Sequence, residues 1–151
     1  MAAQRRPGLC FQLSRDFFVQ SNPLRGAGHR RVRLAPGDGG LYYHIAELET
    51  AARYGINLVL VVNNNSALNQ EIPHIDAAHG GKPTERAREL WTFADVNFAD
   101  IARSFGCLGI RVEDPKDLPS ALERALAAER PVVIDAVTDW RALAAKAWTG
   151  A

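Results

Sequence analysis

After about residue 30, hydrophobic and polar positions alternate between two patterns, one typical of β-strands and one typical of α-helices. The clearest strand pattern is a continuous apolar, β-branched run at residues 58–62. Such a run suits a strand that is buried on both faces, as in a parallel sheet covered by helices. Shorter runs predict three further strands, at residues 31–35, 109–112 and 131–137.

Segments with helical spacing of apolar residues separate these strands. Asn97 is a suitable N-cap, and Gly55 and Gly106 are suitable C-terminal stops. Residues 66–94 are predicted to be irregular. Helices are predicted at residues 43–54 and 98–105, from residue 114 onwards, and at the terminal residues 140–148. Strands that alternate with helices predict an α/β fold with a parallel sheet flanked by helices.

Two polar clusters follow the first two predicted strands, Gly-Asp-Gly-Gly at residues 37–40 and Asn-Asn-Asn-Ser at residues 63–66. A helix of about twelve residues running back ~18 Å and a strand returning ~23 Å fit the gap between Asp38 and Asn65. In a right-handed crossover, both strand ends then emerge at the same edge of the sheet, where α/β sheets bind ligands.

Oxygen ligands such as those of Asp38 and Asn65 suit Mg²⁺ when phosphates complete its coordination. Gly39 and Gly40, just before a helix N-terminus, suit a phosphate group. Without this register, Asp38 would be an ordinary turn residue and the asparagines a loop without ligand. The register favours a diphosphate–Mg²⁺ site.

The motif of Gly37-Asp38-Gly39, a spacer of 24 residues, and Asn64-Asn65 resembles the fingerprint of thiamine-diphosphate-dependent enzymes. Residues 37–51, 53–57, 97–106, 111–115 and 130–137 resemble the acetolactate synthase-like branch of that family. The resemblance covers about residues 30–140. It implies a thiamine-diphosphate-binding fold that is incomplete at the N-terminal side, because the family's domain begins well before this motif.

The resemblance also implies the residues of the site. Asp38 and Asn65 would be the side-chain ligands of Mg²⁺, and the main-chain carbonyl of Ala67 would be the third ligand. Four residues after the second asparagine the family usually has glycine, where this chain has Asn69, a residue that tolerates left-handed geometry. The implied cofactor-binding set is Gly37, Asp38, Gly39, Gly40, Asn65 and Ala67.

By resemblance, the chain belongs to a carboligase or decarboxylase that acts on 2-oxo acids or related small molecules. Members of this family need a glutamate on a separate pyrimidine-binding domain, which another chain or a missing segment would supply. We therefore assign no catalytic residue, expect this chain alone not to turn over substrate, and expect the full enzyme to be a homo-oligomer. The alternative is a non-catalytic truncated remnant or interaction module that retains the α/β fold.

The charge is divided unevenly along the chain. Residues 1–33 contain seven arginines and one acid, whereas residues 34–151 contain 11 bases and 16 acids. We interpret residues 1–29 as a basic leader, poorly ordered or unrelated to the rest, and residues 30–151 as the partial cofactor domain. A transit peptide and a nucleic-acid-binding arm are the less favoured alternatives for the leader, since no nucleic-acid module follows it.

Several other classes lose support from the sequence. No apolar run reaches the length of a membrane span, and Cys10 and Cys107 form no disulfide framework or zinc pattern, which fits the reducing cytoplasm. Ser66 lacks the motif of a serine hydrolase, and no Rossmann or P-loop motif is present. Gln70 and Glu71 are weak candidates for substrate contact. We interpret His44 as a structural histidine, and the spacing of His74 and His79 does not indicate a metal site. We interpret the tryptophans as packing or interface residues, at positions Trp91, Trp140 and Trp148.

Overall fold

The computed structural model describes residues 32–82 and 84–142. The predicted basic leader at residues 1–29 lies outside the described residues. So do residues 143–151, which include most of the predicted terminal helix, and residues 140–142 form a turn and bend.

Within the described residues, four parallel strands form one sheet. The strands are β1 (Val32–Leu34), β2 (Leu58–Asn64), β3 (Leu108–Val112) and β4 (Val132–Val137), and their order in the sheet is β1-β2-β4-β3. Leu34 pairs with Leu60, Val61 with Ile134, and Ile110 with Ile134 on its other side. The last described strand therefore lies between the second and the third. The predicted α/β fold with a parallel sheet is confirmed.

Six α-helices connect or flank these strands within the described residues. They are α1 (Asp38–Tyr42), α2 (Glu47–Arg53), α3 (Ile72–Ala78), α4 (Glu85–Arg88), α5 (Phe98–Ser104) and α6 (Leu118–Ala127), with short 3₁₀ turns at Asn69–Glu71 and Pro115–Asp117. The second predicted helix is confirmed as α5, and the Asn97 side chain accepts a hydrogen bond from the Asp100 N–H at its start.

Two predictions about helices were wrong. Within the single helix predicted at residues 43–54, residues 43–46 form a turn and only α2 is helical. A separate short helix, α1, begins earlier, at Asp38, because tertiary packing overrides the low helix propensity of Gly39 and Gly40. The segment at residues 66–94 contains α3 and α4. Pro73 is tolerated there because it lies in the first turn of α3, and the Thr84 hydroxyl caps α4.

The core forms a layer on each face of the sheet. Alternate residues of β2 and β4 belong to opposite layers, so that Leu60 and Val133 contact one and Val59 and Val132 the other. The first layer contains Leu41, Leu48 and Phe98, from α1, α2 and α5. The second contains Ala121 and Ala125 of α6. Helices thus cover both faces of a buried parallel sheet.

No helix at residues 32–82 or 84–142 has the length and apolar character needed to cross a membrane.

Candidate functional site

The two polar motifs of the sequence meet at one edge of the sheet. Gly37, just beyond β1, pairs with Asn63 near the end of β2 in a parallel bridge. The Asn63 N–H donates to the Pro36 carbonyl at 2.9 Å, which fixes the register of the two strand ends. Asp38 then begins α1, and Asn65 follows β2 directly. The crossover between the strands therefore brings together residues that are 27 positions apart.

A cleft of about 360 Å³ opens at this edge, and all six residues of the predicted cofactor set line it. The other lining residues are Ala35, Asn63, Leu68, Asn69, Gln70 and Glu71. The weak candidates Gln70 and Glu71 thus face the same space as the motif residues. Among the described residues that line the cleft, the charged ones are Asp38 and Glu71, and none is basic.

Asp38 is 3% exposed and lies in the wall of the cleft. Its Oδ1 accepts a hydrogen bond from the Gly39 N–H at 2.8 Å, whereas the buried Oδ2 has no partner among the described residues. Burial raises the pKa of this carboxyl group, and the backbone N–H groups of Gly39, Ser66 and Ala67 partly oppose the shift. A buried carboxylate oxygen without a partner is unusual and fits a cation ligand.

The turn at residues 65–67 is built to face the cleft. The Asn65 side-chain oxygen accepts a hydrogen bond from the Ala67 N–H at 3.0 Å, in an Asx-turn arrangement. Between them, Ser66 has a φ of 54°, in the left-handed region that residues other than glycine rarely adopt. This strained turn lies directly after β2.

The Ala67 carbonyl is directed away from its neighbouring segment. Ala67 pairs with Thr92 in an antiparallel bridge, and hydrogen bonds from Leu68 N–H to Trp91 O and from Phe93 N–H to Ser66 O flank that pair. In such a pair the two central residues do not bond to each other. The Ala67 N–H and carbonyl therefore point to the side on which the Asn65 side chain lies.

Gly39 packs closely against the side chain of Leu68. A Cβ atom at this position would lie 2.7 Å from Leu68 Cδ2 and 3.5 Å from Phe93 Cε2. The absence of a side chain lets α1 approach the loop that forms the opposite wall of the cleft.

Sequence reasoning missed a buried polar network behind the turn. Asn64, adjacent to Asn65, donates to Asp135 in β4, and Asp135 forms an ion pair with Arg111 in β3. The available signal was an aspartate within an otherwise apolar strand, since a charged residue in a buried strand needs partners.

Asn69 does not need the left-handed geometry considered for it. Among the described residues other than glycine, Ser66 alone has a positive φ, and Asn69 begins a 3₁₀ turn. The Asn69 side chain donates to the Trp140 carbonyl at 3.2 Å, a bond that glycine could not make. Trp140 also packs on the buried Trp91, with ring centroids 5.0 Å apart. Asn69 thus connects the cleft loop to the turn that follows β4.

The histidines at positions 44, 74 and 79 do not line the cleft. His44 is half-buried in the turn between α1 and α2, and His74 and His79 are exposed on and after α3. The described part of the chain contains no group of three His, Cys, Asp or Glu residues that could hold a metal ion.

A parallel sheet covered by helices, with a polar cleft at the carboxyl ends of two strands, defines an α/β ligand-binding domain. Residues 22–136 match the family described as "Thiamine pyrophosphate enzyme, C-terminal TPP binding domain". The chain belongs to this family, whose cofactor is also called thiamine diphosphate. The resemblance inferred from the motifs is thereby confirmed.

Individual relatives agree with this assignment. The chain is 35% identical over 110 residues to "Acetolactate synthase" of Bacillus subtilis (strain 168), covering 73% of this chain and 18% of that protein. It is 28% identical to "2-hydroxyacyl-CoA lyase" of Arabidopsis thaliana, covering 73% and 19%. A solved structure, "Rhodococcus jostii RHA1 thiamine diphosphate-dependent 4-hydroxybenzoylformate decarboxylase", matches with a TM-score of 0.63 and 27% identity, covering 73% and 20%. The chain therefore spans about a fifth of the length of these relatives.

Proposed function

We propose that this chain binds thiamine diphosphate through Mg²⁺ in the cleft at the ends of β1 and β2. The membership of the family supports the cofactor. The buried Asp38 Oδ2 without a partner carries the metal part of the proposal, because a cation would compensate its charge and supply the missing contact.

The charges of the cleft support the same conclusion. A diphosphate is strongly anionic, and the described lining residues include two acids and no base. An anion would be repelled by Asp38 and Glu71 unless a divalent cation lay between them. Cofactor binding should therefore depend on the metal.

In this proposal, the Asp38 carboxylate, the Asn65 side-chain oxygen and the Ala67 carbonyl hold the Mg²⁺. The space for the diphosphate is lined by Gly37, Gly39, Gly40 and Asn65. The absence of side chains at the three glycines lets the backbone approach the diphosphate closely. The cofactor supplies the carbanion and electron-sink chemistry of its thiazolium ring. The residues of this chain bind and orient it.

We further propose that the whole enzyme is an acetolactate synthase-like carboligase or decarboxylase acting on 2-oxo acids. The support is the match to an acetolactate synthase and to a decarboxylase structure, each about five times longer than the matched part. Another chain, or a segment absent from this sequence, would supply the pyrimidine-binding domain in a homo-oligomer. We also propose that residues 1–29 are a leader separate from the cofactor domain at residues 30–151. We propose a cytoplasmic location for the enzyme.

Isothermal titration calorimetry with thiamine diphosphate, with and without Mg²⁺, tests the site. We expect binding only with Mg²⁺, and a loss of about 100-fold or more in affinity for Asp38→Ala, since outer-shell changes alone cost about 10- to 100-fold. Glu123→Gln, an exposed acid on α6, is the matched control and should bind like the unchanged protein. Binding that survives without metal, or in Asp38→Ala, would contradict the assignment. A chain that melts cooperatively and never binds the cofactor would favour the non-catalytic alternative.

A further inference from the structure

We propose that Asn64 and Asp135 are positioning residues, which hold the turn at residues 65–67 in the geometry that faces the cleft. They lie in adjacent strands, and their side chains meet on the face of the sheet that α5 covers. Neither lines the cleft, so they would act through the turn rather than on a ligand. The functional meaning of this inference rests on the proposed metal site.

Asn64 is fixed by three hydrogen bonds. Its side-chain nitrogen donates to the Val96 carbonyl at 2.8 Å and to Asp135 Oδ1 at 2.9 Å. Its backbone carbonyl accepts from the Thr138 N–H at 2.8 Å. Asn64, which directly precedes Asn65, is therefore bonded to the segment before α5, to β4, and to Thr138, which directly follows β4.

Asp135 organises the rest of this network. It is fully buried, and its Oδ2 accepts from the Phe98 N–H at 3.0 Å and from Arg111 Nη1 at 2.9 Å. Together with the bond from Asn64, the carboxylate accepts three hydrogen bonds, and an ionised carboxylate offers acceptors on both oxygens whereas an amide offers only one acceptor oxygen. Arg111 compensates the charge of Asp135, and its Nε also donates to Oε1 of the exposed Glu113 at 2.9 Å.

The network and the turn are attached to the same segment of chain. Ser66 and Leu68 bond to Phe93 and Trp91, while Asn64 bonds to Val96 three residues further on. The turn itself includes the left-handed Ser66, whose strained backbone needs support from its surroundings. Loss of the side-chain network would leave the turn held by backbone hydrogen bonds alone, between Asn64 and Thr138 at its near end and from Ser66 and Leu68 at its far end.

Amide hydrogen exchange of the protein without metal or cofactor tests the inference. The Ala67 N–H donates to Asn65 Oδ1, so its protection reports directly whether the Asn65 side chain is in place. In Asp135→Asn and in Asn64→Ala, we expect exchange at Ala67 to be at least about tenfold faster relative to Ala125 in α6, in line with the loss of two buried hydrogen bonds. Asn64→Ala keeps the Asp135–Arg111 pair and serves if Asp135→Asn does not fold.

Val132→Ala is the matched control, because Val132 is a buried residue of the same strand that belongs to the opposite core layer. It should lower global stability and leave the ratio of Ala67 to Ala125 exchange unchanged. An unchanged ratio in the network variants, or an equal change in Val132→Ala, would overturn the inference.

A second measurement separates this inference from the proposed function. Mn²⁺ binding in the presence of thiamine diphosphate, followed by electron paramagnetic resonance, should weaken about 10- to 100-fold in Asn64→Ala and not in Val132→Ala. If the unchanged chain bound no Mn²⁺, the proposed function would fail, while the exchange ratio would still decide whether the network positions the turn.

Discussion

The buried position of Asp38 disfavours the charged form of its carboxyl group, and a bound metal ion would favour that form instead. Burial removes water from the carboxylate and raises its pKa, and its buried Oδ2 has no hydrogen-bond partner among the described residues. The fold without metal therefore favours the protonated form more than the unfolded chain does. A bound cation would favour the ionised form, so one residue links pH, metal binding and stability.

The first prediction at the residue scale follows from the raised pKa of Asp38. In the metal-free protein near pH 7, Asp38→Asn should increase the melting temperature, because the unfolded chain ionises Asp38 freely and the folded chain ionises it at a cost. As pH rises from about 4, the ordinary pKa of an aspartate, through the raised value, the original protein loses stability that the variant keeps.

Thermal melts of both proteins across this pH range measure the effect. The difference between them should stop changing with pH below about pH 4, where both states of the original protein bind the proton. A variant that is less stable by the same amount at every pH would show that the charge of Asp38 is not the cause.

A second prediction concerns Cys107, whose buried thiol donates to the Leu48 carbonyl at 3.5 Å. Burial raises the pKa of this thiol and blocks access, so it should resist iodoacetamide at neutral pH in the folded protein. The thiol should react once guanidinium unfolds the chain. Peptide mass spectrometry distinguishes Cys107 from Cys10, and labelling of Cys107 under native conditions would contradict the buried position.

The position of Asp38 and Asn65 at one edge of the sheet could be predicted from the sequence, because each follows a strand that the apolar pattern reveals. Their roles as metal ligands stay a prediction. The Asn64–Asp135–Arg111 network joins positions up to 71 residues apart. Only the insertion of β4 between β2 and β3 brings these three side chains together.

At the scale of elements, α5 and β3 approach each other unusually closely. A Cβ atom at Gly109 would lie 1.9 Å from the Ala99 carbonyl oxygen and 2.6 Å from its carbon, both backbone atoms. The helix contacts the strand backbone directly here, and the Arg103 guanidinium donates to the Gly109 carbonyl at 3.0 Å. This contact fixes the position of α5, whose first N–H bonds to Asp135.

Gly109→Ala should therefore destabilise the fold by about 3 kcal/mol, since the clash is with backbone and neither element can shift without breaking its packing. Gly37→Ala is the matched control, because its φ of −72° is ordinary and a Cβ there meets nothing within 4 Å. Its effect should stay within about 0.5 kcal/mol. Urea unfolding measures both, and equal midpoints for the two variants would contradict the close contact.

Strands were easier to predict than helices for a physical reason. A strand buried on both faces has a continuous apolar run, which can be recognised in the sequence without knowledge of its tertiary contacts. The short helices α1, α3 and α4 depend on tertiary contacts, such as the packing of Gly39 against Leu68, which leave no period in the sequence.

For the molecule as a whole, ligand binding should appear as stability. A ligand that binds only the folded state at about 100 times its dissociation constant adds about 2.7 kcal/mol. For a domain of this size, we expect Mg²⁺ with thiamine diphosphate to raise the melting temperature by roughly 10 °C. Excess EDTA should remove the shift, and thiamine diphosphate alone should give none, because the described cleft lining offers no basic residue. An increase that persists in EDTA would contradict a metal-dependent site.

The strand order also determines when the sheet can be completed during synthesis. Of the described strands, β4 is the last to leave the ribosome, yet it lies between β2 and β3. A nascent chain that ends before Val132 can pair β1 with β2, whereas β3 has no strand beside it. The same late strand carries Asp135, so the motif residues emerge well before the network that holds them.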